Sequence, residues 1–199
     1  MQIRVGGILG LVLALVIGGF VFYEVRSVTD SANKTANAAL AQAGISGDLG
    51  SVNATANVKA GDAKSLYKSA NLKKALAAAG GAVGPTGKVS DIKVEPGRVI
   101  LIGQVDGKLT TVMVNADDAV SKIAMSASAG NAISLARVDA AGVDRMVAAA
   151  QAKGVAPDQI RYLVVDAGID ADTAPSWLLY TPTGHMEGDI HGKNVKVIS

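Results

Sequence analysis

Cysteine is absent from the 199 residues of this chain. That excludes disulfides, thiolate metal sites and thiol catalysis, and leaves the redox compartment open. Aromatic residues are scarce, with 2 Phe, 4 Tyr and 1 Trp. Phe20 and Phe22 both fall in one N-terminal stretch, so the core of the remaining chain rests on aliphatic side chains, with Trp177 as its single indole. The formal net charge is only +2, and no basic cluster is interleaved with aromatics. The electrostatic footprint of a nucleic-acid binder is therefore missing. The 2 histidines, His185 and His191, stand close together. No serine is coupled to a histidine and an acid by pattern, and no P-loop, G-x-S-x-G or H-E-x-x-H motif occurs. These absences point away from an enzyme, and no cofactor is expected.

One long apolar run is present. From Val5 to Tyr23 the sequence VGGILGLVLALVIGGFVFY carries no charge. As a helix it would span about 28 Å, close to the thickness of a hydrocarbon core. Phe20, Phe22 and Tyr23 gather at its C-terminal end, where aromatic rings favour the membrane interface. A cleaved signal peptide would have a shorter apolar core followed closely by a small-x-small site. Here Glu24, Val25 and Arg26 follow directly, and the nearest such site, Ala39-Leu40-Ala41, is far downstream. The run reads as an uncleaved single-pass anchor over residues 5–23, preceded by a short tail of residues 1–4. Arg4 before it and Arg26 and Lys34 after it nearly balance, and the short tail places the C-terminal domain outside the cytoplasm. Gly6, Gly10, Ala14 and Gly18 recur every fourth residue and line one narrow stripe. In a bilayer such a stripe lets two backbones approach, so the anchor is expected to pack against a second copy.

Residues 24–62 divide into a possible continuation of the helix to Gly44 and a Gly-, Ser-, Asn- and Asp-rich tether from Ile45 to Asp62. The folded part begins near Ala63. Leu72, Ala75, Leu76 and Ala79 follow helical spacing, with Gly80-Gly81 as the stop. Strands are expected at Val89–Glu95, Arg98–Val105, Lys108–Val114 and Ala119–Met125. The first three are separated by the turn dipeptides Pro96-Gly97 and Asp106-Gly107. The order then repeats. Asp139 is a helix N-cap, Val143, Met146, Val147 and Ala150 form one stripe, and Gly154 closes the helix. Strands follow at Ile160–Asp166, Ser176–Thr181, Met186–His191 and Asn194–Ile198. Leu72 to Ile92 is 20 residues, as is Val143 to Leu163. The fold class expected is α+β: two tandem helix-plus-antiparallel-meander units, 63–125 and 139–199, after a transmembrane helix.

Asn71-Leu72-Lys73-Lys74-Ala75-Leu76, then Val94-Glu95-Pro96-Gly97-Arg98-Val99 and Asp106-Gly107-Lys108, resemble a group of bacterial single-pass membrane proteins. Their soluble regions are similar to PepSY-type and β-lactamase-inhibitor-like α+β repeats. The resemblance covers roughly Ser65 to Ser199 and rests on turn and core signals. It implies an extracytoplasmic binding or inhibitory module and carries over no functional residue.

The best chemical constellation is the run from His185 to His191. On one strand His185, Glu187, Asp189 and His191 would share a face, with Met186 and Ile190 opposite. Imidazoles and carboxylates suit zinc or another divalent ion. A mixed polar face is also the ordinary solvated side of an antiparallel strand, and that reading is adopted, with no metal expected. Asp166, Asp170 and Asp172 lie in one loop but lack the EF-hand pattern, so a solvated loop is expected there. Residues 63–125 hold nine Lys/Arg against five Asp/Glu, and residues 139–199 hold five against eight. Opposite charge would help the units dock. Lys64, Lys68, Lys73 and Lys74 form a basic helix face, which either solvates the helix or meets anionic headgroups or cell-wall polymers.

The reading that follows is a membrane-anchored extracytoplasmic interaction module. Its partners are the bilayer, a second copy through the anchor, and an unidentified protein, peptide or envelope polymer. A metal-dependent envelope enzyme built on His185–His191, and a structural subunit of a membrane complex, are the alternatives.

Overall fold

Alternating aliphatic residues separated by Gly, Pro and Asp turns build strands that pair with their sequence neighbours, because a two-residue turn returns the chain antiparallel. The computed structural model describes residues 46–47, 58–84, 88–106, 108–125, 132–167 and 174–198. The segment Val5–Tyr23, its stripe Gly6, Gly10, Ala14 and Gly18, and the helix continuation to Gly44 lie outside the described residues. Among those described, no helix is long and apolar enough to cross a membrane.

The elements in chain order are β1 (Ser46–Gly47), α1 (Ser69–Val83), β2 (Lys88–Glu95), β3 (Arg98–Val105), β4 (Lys108–Asn115), β5 (Val120–Met125), β6 (Ile133–Ser134), α2 (Ala141–Ala152), β7 (Tyr162–Asp166), β8 (Ser176–Thr181), β9 (Gly184–Asp189) and β10 (Lys196–Ile198). The fold is α+β, as expected. All strands join one sheet in the order β1-β5-β4-β3-β2-β7-β8-β9-β10, and β6 pairs β2 beside that path. Every pairing is antiparallel. Each unit is a helix followed by a four-stranded meander, and the two join where their first strands, β2 and β7, meet.

The register at that join has a local two-fold arrangement. Lys93 pairs with Val164. Each is the residue after its unit's central buried aliphatic, Ile92 or Leu163, so equivalent positions sit opposite one another. Burial repeats in the same way: Leu72, Ala75 and Ala79 of α1 are matched by Val143, Met146 and Ala150 of α2. In the sheet, Ile92 lies beside Leu101 and Leu163 beside Leu179. All of these belong to one continuous core, with Trp177 fully buried inside it. The helices touch each other and lie on the same face, α1 over β3 to β5 and α2 over β8 and β9.

Several boundaries differ from the sequence reading. Helix α1 runs through Gly80-Gly81 and ends at Val83, where Gly84 takes φ 86. Each helical glycine costs about 1 kcal/mol relative to alanine, but continuing the turn buries Val83. Asp139 does cap α2, its Oδ1 accepting from Ala141 N at 3.0 Å. Gly154 (φ 83) closes the helix, with Val155 N donating back to Ala150 O. Strand β9 starts at Gly184 and stops at Asp189, two residues short of the expected His191. The cause is local: Asp189 Oδ1 accepts from His191 N and Lys193 N, both at 2.9 Å, and bends the chain into a turn. The tether also departs from its expected irregularity, because Ser46 and Gly47 pair with Ala124 and Ile123 on β5.

Candidate functional site

Among the described residues both helices lie on one face, and the other side of the sheet presents the alternate residue of each strand. On β2, β3 and β7 to β9 these residues are half-buried or, at Asp91, Gln104 and Glu187, exposed. Toward β4 and β5 the same face carries Leu109, Met113 and Ile123, which are buried.

Three rows cross this face. The middle row is aliphatic apart from one lysine: Ile100, then Lys93, Val164 and Leu178. One flanking row carries Asp91, Asp166, Ser176 and Asp189. The other is aromatic and charged. Tyr162 opposes Tyr180, and Tyr180 opposes His185. The tyrosine rings lie 4.7 Å apart between centroids and tilt by 31°. The imidazole of His185 stacks on Tyr180 at 5.4 Å and 19°. Lys93 Nζ sits 4.4 Å above the Tyr162 ring, a cation–π contact. The same ammonium reaches Glu95 at 2.7 Å, and Arg98 Nε donates to the other Glu95 oxygen at 2.6 Å. Burial alone would raise Glu95, but the Arg98 and Lys93 charges and hydrogen bonds overcome it and hold the carboxyl below its ordinary range. Tyr180 moves the other way. Burial first, then the neighbouring Tyr162 and Asp166, raise its phenol, so its O–H remains a donor at neutral pH.

The four residues singled out from sequence are not brought together. His185 and Glu187 stand on the helix-free face of β9. Asp189 turns into its own loop, accepting from two backbone N–H groups and from Asn194 Nδ2 at 2.9 Å. Those bonds hold its carboxyl low. His191 lies beyond the strand and points to the helix layer, with Nδ1 3.1 Å from Asp139 Oδ2. Arg145 binds the same Asp139 oxygen and the carbonyl of His191. Among the described residues, no three His, Asp or Glu side chains converge to hold a metal ion. Asp166 ends β7 and faces Asp91. Asp170 and Asp172 lie outside the described residues. Of the lysines on and before α1, Lys74 forms an ion pair with Asp118, while Lys73 lines an open groove of about 650 Å³ shared with Leu76, Leu135 and Asp139.

Sequence reasoning missed the row from Arg98 to His185. Its strands were legible, but Tyr162 and Tyr180 were not singled out. What brought them side by side was the register between β7, β8 and β9, across the nine residues between β7 and β8 and the Pro182-Thr183 turn.

In comparisons with known proteins, the chain matches no family model, no curated protein and no solved structure.

Proposed function

We propose that this chain is a membrane-anchored, extracytoplasmic, non-catalytic interaction module. Its partner docks on the helix-free face of the sheet. The charge-free run Val5–Tyr23 is the single-pass anchor in this reading, and its small-residue stripe Gly6, Gly10, Ala14 and Gly18 packs against a second copy. The resemblance to PepSY-type repeats supports the same class of role.

One observation carries the reading: Ile100, Val164 and Leu178, with Lys93 between the first two, run beside Tyr162, Tyr180, His185 and Arg98 on a face that neither described helix covers. Protein interfaces combine an apolar centre with Tyr and Arg anchors and a polar rim. A face made by many strands of one sheet suits a protein surface or an extended peptide or polymer better than a small molecule held in a cleft. The metal-dependent enzyme gains no support, because His191 has left the strand and faces Asp139 instead.

The test is capture of envelope partners by full-length protein in mild detergent, beside Tyr162→Ala/Tyr180→Ala and beside Lys68→Ala on the helix side. Partners should be lost with the double tyrosine variant and retained with Lys68→Ala. Trp177 fluorescence reports whether each variant is folded. Unchanged capture by a folded tyrosine variant would remove the sheet face as the docking surface.

A further inference from the structure

We propose that residues 37–45, the stretch of chain leading into β1, dock over the β4–β5 side of the helix-free face and cover Leu109, Met113 and Ile123. These three side chains retain only 9 %, 8 % and 4 % exposure. The pairing sets them on one face, since Ile123 lies opposite Thr111, midway between Leu109 and Met113 on β4. None of the three belongs to the continuous core. Both described helices pack on the other side of the sheet, where Val112 and Val114 of the same strand join that core. On the neighbouring β3, Ile100 and Ile102 of the helix-free face are only half-buried. Burial this deep on one side of a sheet requires a second layer, and here that layer is centred on β4 and β5.

Chain geometry identifies the occupant. Ser46 pairs with Ala124 and Gly47 with Ile123, so the chain arrives at the β5 edge beside the buried group. The residues just before it read NAALAQAGI and carry no charge. On a helix Ala39, Leu40 and Ala43 share one face, with Asn37 and Gln42 off it. Gly44 then stops the helix ahead of Ile45. The competing candidate is the connection from β5 to β6. Residues 126–131 are only Ser, Ala, Gly and Asn. They must also cross four strand spacings, about 19 Å, to reach β6 beside β2. That consumes most of a reach of roughly 26 Å between the two strands, and leaves no large apolar side chain to lay over Met113.

The helix-free face is then divided. The β4–β5 side holds the chain's own lead-in segment, while β2 and β7 to β9 stay open, so the proposal stands independently of what docks there.

The chain has no cysteine. Single introduced thiols in the full-length protein in mild detergent therefore report exposure through their rate of maleimide labelling. Met113→Cys and Ile123→Cys should label at least about tenfold more slowly than Leu178→Cys, because labelling must wait for the cover to open. Adding Leu40→Asp should abolish that protection and leave Val112→Cys, on the core side of β4, unlabelled. In the Leu40→Cys/Met113→Cys double variant a short bismaleimide should join the two thiols within one chain, a result that does not depend on how well the Leu40→Asp variant folds. The proposal is overturned if Met113→Cys labels as fast as Leu178→Cys, or if a folded Leu40→Asp variant keeps it protected. It is also overturned if the cross-link fails to form or forms only between chains, which would make a second copy the occupant.

Discussion

Gly142 and Gly192 show how one side-chain atom decides whether the second unit closes. The α2 backbone at Gly142 lies against the indole of Trp177, and a Cβ there would fall 2.3 Å from Trp177 Nε1. That nitrogen donates to Ile190 O at 3.0 Å, which fixes the start of the turn after β9. In that turn Gly192 takes φ 67 and sits over Gly142, where a Cβ would fall 2.4 Å from Gly142 O. Helix, indole and turn are thus stacked with no room for a methyl group. Gly154 has a similar φ of 83 but nothing within 4 Å of its would-be Cβ. The pair separates conformational strain from crowding. Gly154→Ala should cost about 1–2 kcal/mol, the left-handed penalty alone. Gly192→Ala should cost about 2–4 kcal/mol, because overpacking against backbone is added to the same penalty. Urea denaturation of the two variants checks this, and equal costs would show that the turn yields freely.

At the scale of elements, the two helices are tied by a cap that crosses between units. Helix α1 starts after Lys68, which offers no side-chain acceptor. Ser69 N donates instead to Asp144 Oδ1 of α2 at 3.0 Å. One carboxylate therefore serves the N-terminal end of α1 while sitting in the first turn of its own helix. Tyr67 makes a second tie: its buried hydroxyl donates to Ile160 O at 3.3 Å, just before β7. Burial pushes that phenol far above its ordinary range, with the Glu95 charge adding to the effect. Asp144→Ala should destabilise the domain by about 1–2 kcal/mol, the cost of losing a cap and a favourable helix-terminus charge. Asp144→Asn retains the acceptor and should recover most of that loss. If both variants unfold at the wild-type denaturant concentration, the cross-helix cap contributes nothing.

At the scale of the whole molecule, the two meanders share one sheet and one core. Ile92 and Val94 of the first unit pair directly with Val165 and Leu163 of the second. Leu66 and Tyr67, which precede α1, are buried in the same core. A single unit of this size buries too little surface to stand securely alone, and separation would also leave β2 without its partner strand along Asp91–Val94. Residues 58–199 should therefore unfold in one cooperative transition, with Trp177 fluorescence and far-UV circular dichroism coinciding. Residues 58–125 by themselves should show no cooperative melt. Two resolved transitions in the longer fragment would mean that the units are energetically independent.

The sequence by itself determined what depends on near neighbours along the chain. Alternation and two-residue turns marked β3 and β8 to the residue. Helical spacing identified both buried stripes, and Asp139 and Gly154 marked the ends of the second helix. The repeated interval of 20 residues revealed two equivalent units. These features are set by backbone sterics and by apolar periods of a few residues, which a linear reading contains. Only the tertiary structure decided that β2 and β7 pair, that both helices lie on one face, and that His191 leaves the strand for Asp139. It also decided that Tyr162, Tyr180 and His185 stack, and that Asp91 faces Asp166. These are matters of register between segments far apart in sequence. A shift of one residue would send every side chain to the opposite face, and the register is chosen by the summed packing of the shared core.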